Sequence, residues 1–218
     1  MLSRLFFCAI SVLHKTDDGD VSMAKRPTTQ AYDELQRAFD HFNKHLFGGE
    51  LAQCLITMQR KDVRVYGYYS PRRFGSNRQR GKTVDEIALN PIHFSHKDLG
   101  ELMQTLVHEM CHMWQEHHGT PSRQGYHNRE FADKMLEVGL HPSDTGKPGG
   151  KMVGQSMADY PVKGGPFEKA LKRLTSRKFK VSFYDRIAEL LMAIIGDRPL
   201  TLLPISLLRI AFVRINFH

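Results

Sequence analysis

Residues 95–119 contain the feature that most restricts the fold of this chain. Apolar side chains recur there at spacings of three and four, from Leu99 to Trp114, which predicts one long amphipathic helix. His108 and His112 lie four residues apart inside that segment. This spacing places both imidazoles on one face of the helix, about one turn apart. The pair can therefore grip a single metal ion.

Glu109 supplies a carboxylate beside this histidine pair. It directly follows the first histidine, so its carboxylate can point toward a water molecule held by the same ion. Zinc lowers the pKa of such a water to about 7, where a neighbouring carboxylate can accept its proton. The pattern His108-Glu109-Met110-Cys111-His112 is therefore typical of peptide hydrolysis assisted by Zn²⁺.

A catalytic zinc ion needs a third protein ligand and one open position. His127 follows a turn between Gly119 and Gly125 and opens the next predicted helix, so its ring can fold back across the histidine pair. We choose it as the third ligand. Two alternatives remain open: His118, if the helix breaks early, and Glu130, which could instead orient a ligand histidine.

The positive charge of the chain is unevenly distributed. Of a net charge of +8, residues 60–82 contribute eight basic residues against one acidic residue, interleaved with tyrosines. Basic groups can neutralise phosphates while rings stack on bases, so this stretch predicts non-specific DNA binding. The alternative is a strand with tyrosines in its core and a solvated basic loop. The candidate nucleic-acid-binding residues are Arg64, Tyr66, Tyr68, Arg72, Arg73, Arg78, Arg80 and Lys82.

The remaining patterns predict a small α+β domain. A helix is expected over 31–47 with Thr28 or Thr29 as N-cap, and a capping box over 95–98 is expected to start the second helix. Segment 142–166 is rich in glycine and proline and predicts irregular structure. The other predicted elements are strands at 51–58, 63–69 (ended by Ser70-Pro71) and 84–90, a loop at 75–81, a third helix at 128–138 stopped by Gly139, and a basic helix after Phe167.

The ends of the chain carry different patterns. We expect residues 1–22 to be an extension before a start at Met23, residues 23–170 to form the domain, and residues 171–218 to form a basic, then apolar, helical tail of unknown role. Three scattered cysteines indicate no disulfide framework, which favours the cytoplasm. Charges interrupt every apolar run before a membrane span accumulates, so we expect no stable membrane insertion.

Two segments resemble a known family. The helix segment Thr105-Leu-Val-His-Glu-Met-Cys-His-Met-Trp and the later Gly125-Tyr-His-Asn-Arg-Glu-Phe are similar to the SprT-like zinc metalloproteases, which include the eukaryotic protease Spartan. Phe74-Gly-Ser-Asn-Arg and Glu86-Ile-Ala-Leu-Asn-Pro resemble bacterial SprT-like proteins. The resemblance covers about residues 31–170. After Cys111 the chain has no cysteine, so the zinc ribbon of many relatives is not expected.

The resemblance implies a zincin-like α+β domain, with a small three-stranded sheet packed on helices and the histidine motif on the central helix. It also implies Zn²⁺ held by His108, His112 and His127, with Glu109 as the catalytic carboxylate. Our leading hypothesis is a zinc metalloendopeptidase acting on DNA-associated proteins. The alternative is a non-catalytic DNA-binding protein with a structural zinc site, in which the ion merely fixes the fold.

Overall fold

The computed structural model describes residues 26–60, 62, 64–95 and 97–186. These residues form a mixed α+β structure with four helices, a three-stranded sheet and a separate two-stranded sheet. In chain order the elements are α1 (Pro27–Leu46), β1 (Leu55–Met58), β2 (Gly67–Gly75), β3 (Thr83–Leu89), a 3-10 turn (Pro91–His93), α2 (Leu99–His118), α3 (Arg129–Val138), β4 (Leu140–Ser143), β5 (Ala158–Pro161) and α4 (Pro166–Thr175).

Helix α1 begins earlier than the sequence predicted. Its N-cap is Arg26 and Pro27 occupies the first turn, so neither Thr28 nor Thr29 is the cap. Proline suits that position because its missing N–H would have no partner inside the helix and its φ is already helical. The apolar stripe is as predicted, with Leu35 and Phe39 buried.

The three-stranded sheet has the order β1-β3-β2. Strand β1 pairs parallel with β3, and β2 pairs antiparallel with it. The prediction that β2 ends at Ser70-Pro71 was wrong, because the strand continues to Gly75. A register shift between Ser70 and Phe74, with Arg72 at φ +50°, forms an irregularity that lets an edge strand pass a proline.

The sequence predicted the start of α2 wrongly and both ends of α3 correctly. Helix α2 is capped by Asp98, whose carboxylate accepts from the backbone N–H of Glu101 at 2.7 Å. The predicted capping box starting at Ser95 was therefore wrong, since the helix begins one turn later. Helix α3 matches its prediction: Asn128 caps its start and Gly139, at φ +89°, ends it.

Segment 142–166 is more ordered than predicted. Strand β5 pairs antiparallel with β4, placing His141 opposite Tyr160. After α4 the chain turns at Lys178 and returns along α1, where Glu34 accepts from the backbone N–H and hydroxyl of Ser182 at 2.7 and 2.6 Å.

The predicted domain limits remain predictions. Helix α4 spans the expected boundary at residue 170, while the extension at 1–22 and the apolar part of the tail lie outside the described residues. Among the residues described, no helix combines the length and apolar character needed to cross a membrane.

One buried core joins the elements and fixes the position of α2. The four helices and the three-stranded sheet all contribute to this core, and α2 packs one side against it. The largest fully buried side chains of the core include Phe39, Phe42, Met103, Met110, Phe131 and Phe167. Substantial displacement of α2 would open cavities in this close-packed interior.

The junction after α3 provides a test of this packing. A methyl group on Gly139 would lie 2.8 Å from the backbone nitrogen of Phe167 and from Cδ of Pro166, whereas Gly149, also at φ +89°, has no atom within 4 Å of that position. We expect Gly149→Ala to lower the free energy of unfolding by about 1 kcal/mol through backbone strain. Gly139→Ala should cost about 2 kcal/mol more because of the steric clash.

Urea denaturation of both variants measures the difference. Because the two glycines share the same φ, their difference isolates the clash from the strain. Equal losses would show that the start of α4 moves aside for the methyl group, contrary to this packing.

Candidate metal centre

Three imidazoles converge at one point between α2 and α3. The Nε2 atom of His127 lies 3.1 Å from Nε2 of His112 and 3.3 Å from Nε2 of His108. Four-coordinate zinc with Zn–N bonds of about 2.0–2.1 Å separates its ligand nitrogens by about 3.3 Å. These two separations match that spacing, and all three nitrogens lie within 4.8 Å of one another, so one metal ion could bind the three.

Helix α2 supplies two of these imidazoles directly, because His108 and His112 lie one turn apart on it. His127 lies outside the helices and is held by an isolated antiparallel bridge: its backbone N–H donates to the carbonyl of Gly154 at 2.8 Å, and Gly154 donates back at 3.1 Å. The third imidazole is thus positioned by backbone pairing to a distant segment.

The loop leading to His127 is fixed by a polar network. The side-chain amide of Gln115 donates to Asn128 and to Glu130, both at 2.7 Å, and Glu130 also accepts from the backbone N–H of Thr120 at 2.7 Å. Glu130 is therefore engaged with the loop and is not part of the imidazole cluster. This network connects the end of α2 to the start of α3.

Phe131 forms an apolar floor beneath the imidazoles. It is fully buried on α3, stacks on His112 with ring centroids 4.2 Å apart, and contacts the ring of His127 at 4.8 Å. A rigid ring against the imidazoles limits their rotation. The histidine side chains are consequently held in place before any ligand binds.

The hydrogen bonds of the outer nitrogens determine where the lone pairs point. Nδ1 of His108 donates to Oδ2 of Asp159 at 2.9 Å, and Nδ1 of His127 donates to the carbonyl of Gly154 at 3.3 Å. In the neutral rings each Nε2 is then an unprotonated acceptor. The Nε2 atoms of His108 and His127 face each other at 3.3 Å and can bind one cation between them, so this donor set fits a metal ion.

Burial and neighbouring charges adjust the protonation of the site. Burial, together with the charge of His108, lowers the pKa of His127 to about 4, and the same causes lower that of His112. For His108 burial is outweighed by the bond to Asp159, which raises its pKa. Two of the three imidazoles are therefore neutral at neutral pH, the form that binds metal.

Glu109 lies next to the cluster. It is buried on α2, and burial raises the pKa of its carboxyl to about 7, with His108 opposing and Asp159 adding to the effect. A backbone N–H of Tyr69 donates to this carboxylate. Gly67 permits this close approach of β2, because a Cβ there would lie 3.0 Å from Cγ2 of Thr105.

The cluster opens into a large cleft of about 1540 Å³. Residues of β2 and the segment before it form part of its wall, α2 forms another part, and β5 with the loop before His127 forms a third. His108, Glu109, His112, His127 and Asp159 all line this cleft.

Comparison with known proteins links this sequence to one family. The SprT-like family profile matches residues 35–147, just over half of the chain, and this range includes all three histidines. The chain belongs to the SprT-like family. It is also 59% identical over 61 residues to the uncharacterized protein in mucB 3′ region of Salmonella typhimurium, an alignment covering 28% of this chain and 80% of the relative.

This SprT-like chain brings together the three histidines named from its sequence. His118, the alternative ligand, instead stacks on Trp114 with ring centroids 6.3 Å apart. The cluster has no fourth ligand side chain among the described residues.

The predicted nucleic-acid-binding residues do not form one free basic surface. Arg64 is paired with Asp62 at 2.9 Å and Arg72 with Glu116 at 3.1 Å. Tyr66 is 46% exposed and lies under the ammonium group of Lys97, whereas Tyr68 is half-buried. Arg73, Arg78, Arg80 and Lys82 are exposed. DNA binding by this set stays a prediction.

Sequence reasoning missed Asp159 and Phe131. Asp159 is 51 positions from His108 and lies in a segment predicted to be irregular, so no local pattern linked the two. Phe131 was assigned to the core of the third helix by its spacing, which is correct. Only the crossing of α2 and α3 reveals that it also supports the imidazoles.

Metal binding tests the cluster directly. We expect the wild-type chain to bind one Zn²⁺ ion per molecule, and His127→Ala to lose at least about 100-fold in affinity because a ligand is removed. His118→Ala removes a nearby imidazole outside the cluster and should bind zinc as the wild type does. Competition with a chromophoric chelator measures all three affinities, and equal weakening of both variants would contradict the assignment.

Asp159 provides a second test. In Asp159→Asn the amide oxygen can still accept from His108, but the negative charge that makes the imidazole a better ligand is lost. We expect zinc affinity to fall about 10- to 100-fold, the usual cost of such changes around metal-bound histidines. Asp133→Asn, which neutralises an exposed carboxylate paired with Arg129 on α3, is the control and should leave affinity unchanged.

Proposed function

We propose that this protein is a zinc-dependent metalloendopeptidase with a zincin-like fold, in which His108, His112 and His127 hold Zn²⁺ and Glu109 is the general base. The observation that supports it most is the convergence of three imidazole nitrogens at 3.1 and 3.3 Å beside a buried carboxylate in an open cleft. Membership of the SprT-like family agrees with this proposal.

The ligand set favours a catalytic site over a structural one. Structural zinc sites are closed by four protein ligands, whereas catalytic sites keep three and an open position. The three-histidine cluster faces the cleft. When bound, zinc supplies a Lewis acid that polarises a peptide carbonyl and acidifies water. The alternative of a non-catalytic DNA-binding protein requires a fourth ligand in this position.

Glu109 is suited to moving the proton. Its raised pKa, about 7 without metal, reflects the loss of water around the carboxylate, and the bond from the Tyr69 N–H fixes its orientation. The carboxylate accepts a proton from the attacking water as oxygen adds to the carbonyl carbon. It then gives that proton to the departing amine nitrogen as the C–N bond breaks, which completes hydrolysis with no net change in Glu109.

The cleft favours a polypeptide as substrate. Its volume of about 1540 Å³ exceeds the range of about 300–1000 Å³ that is usual for small-molecule pockets. Strand β2 lies at an edge of the three-stranded sheet, and residues 67–71 of it line the cleft. An extended peptide can add to such an edge through backbone hydrogen bonds. We further propose DNA-associated proteins as the substrate class, to be tested by adding DNA to the assay.

Replacement of the base separates chemistry from metal binding. Glu109→Gln should retain full zinc content while cleavage of an unfolded protein or a DNA-bound protein falls about 10²- to 10⁴-fold, because the amide cannot accept a proton. Glu137→Gln, which changes an exposed glutamate of α3, should cleave as the wild type does. Zinc analysis and a gel-based cleavage assay, each with and without DNA, give both readouts. Undiminished cleavage by Glu109→Gln would refute the mechanism.

A further inference from the structure

A buried carboxylate joins three elements close to the cleft. Asp85 of β3 is only 6% exposed. Its Oδ1 accepts from the backbone N–H of Arg72 at 2.7 Å. Its Oδ2 accepts from the hydroxyl of Tyr69 at 2.7 Å and from Nε2 of His117 at 2.5 Å. Asp85 therefore connects β3 with β2 and with the last turn of α2.

Asp85 lies opposite the irregularity in β2. Between Ser70 and Phe74 the register shifts, so that four steps along β2 match only two along β3. Residues 71–73 thus interrupt the regular ladder. A buried backbone N–H without an acceptor is unfavourable, and the carboxylate of Asp85 supplies an acceptor to Arg72. The side chain of Asp85 consequently holds β2 at the point where strand pairing is interrupted.

The protonation states suit these hydrogen bonds. Burial opposes ionisation of Asp85, but the bonds from Arg72, His117 and Tyr69 outweigh it, and the pKa of Asp85 is lowered. Burial, followed by the bond to Asp85, raises the pKa of Tyr69. At neutral pH the carboxylate is ionised and the phenol keeps its proton, so the hydrogen bonds are charge-assisted and stronger than those between neutral groups.

Tyr69 connects Asp85 to the catalytic carboxylate. Its hydroxyl donates to Asp85, and its backbone N–H donates to the carboxylate of Glu109. Gly67 lets β2 lie directly against α2 here, since a Cβ on it would be 3.4 Å from Cγ of Glu109. A displacement of β2 would therefore remove a hydrogen bond from Glu109.

We propose that Asp85 is a positioning residue, which fixes β2 so that the N–H of Tyr69 stays on the carboxylate of Glu109. The inference rests on the proposed function, in which Glu109 accepts a proton from the attacking water. Asp85 does not line the cleft and is not part of the imidazole cluster, so it acts through Tyr69 and Arg72. A misplacement of about 1 Å in a catalytic site can cost about 100-fold in rate.

The test compares two buried carboxylates that each accept three hydrogen bonds. Glu34 of α1 is 8% exposed, bonds Ser182 and Gln30 outside the cleft, and is the matched control. In the full chain, Asp85→Ala should retain zinc while kcat for protein cleavage falls about 10- to 100-fold, by more than KM rises. Glu34→Ala should cleave as the wild type does, at a temperature where circular dichroism shows both variants folded.

Hydrogen exchange of the Tyr69 N–H measures the positioning without any cleavage. Followed by NMR, it should accelerate about tenfold or more in Asp85→Ala and stay unchanged in Glu34→Ala. Asp85→Asn should cleave within about threefold of the wild type, because its amide can still accept from Arg72 and donate to the oxygen of Tyr69. If Asp85→Ala does not fold, Tyr69→Phe removes one of the contacts and repeats the comparison.

Unchanged kcat or unchanged Tyr69 exchange in Asp85→Ala would overturn the proposal. So would an equal loss of kcat in Glu34→Ala, which would indicate general destabilisation. An Asp85→Asn variant as slow as Asp85→Ala would assign the effect to charge and not to position, which also contradicts the proposal. Absence of cleavage by the wild type would refute the proposed function, and the exchange of the Tyr69 N–H would then decide whether Asp85 fixes β2.

Discussion

The centre of this molecule depends on the mutual approach of three imidazole nitrogens, those of His108, His112 and His127. Burying polar groups without partners is unfavourable, and nitrogens that face one another at 3.3 Å need a cation between them, which is either a proton shared by His108 and His127 or a metal ion. Asp159 and Gly154 already engage the outer nitrogens of His108 and His127, which leaves the inner nitrogens of these two rings for a cation. The fold therefore places these three imidazoles where they could hold one metal ion.

The elements that hold the imidazoles come from well-separated parts of the chain. Helix α2 supplies two rings, the segment before α3 supplies the third, and the pairing partners lie at Gly154 and on β5. A ligand that binds only this folded arrangement stabilises all of these contacts together, by an amount set by its concentration relative to its dissociation constant. The hydrogen bonds of Gln115 to Asn128 and Glu130 also stabilise this region without a ligand, since they connect the end of α2 to the start of α3. Metal affinity and local stability should consequently be coupled in this region.

Elements that depend on local residue spacing could be predicted from the sequence. Features that depend on contacts between distant segments could not. Helical periodicity identified α1, α2 and α3, and the four-residue spacing of His108 and His112 follows from helix geometry alone. The N-cap of α2 was misplaced because Ser95 and Asp98 are both acceptable caps, and only tertiary packing selects between them. The passage of β2 beyond Pro71 depends on Arg72 adopting a positive φ, which sequence does not indicate for an arginine. The role of Asp159 requires knowledge of β5, whose pairing with β4 has no clear sequence signal.

The distribution of positive charge along the sequence also differs from its distribution on the folded surface. Along the chain, the densest positive stretch lies at residues 60–82, yet folding pairs Arg60 with Asp185, Arg64 with Asp62 and Arg72 with Glu116. Each pair removes a cation from the set available to a polyanion, although exposed pairs contribute little to stability. Folding also brings the last turns of α1 and α4 together, so that modest basic stretches far apart in sequence become one surface. The negative ends of the two helix dipoles favour a few cations there. Burial and the neighbouring positive groups lower the pKa of His45, so this imidazole loses its proton more readily and part of the repulsion where the two helices meet is relieved.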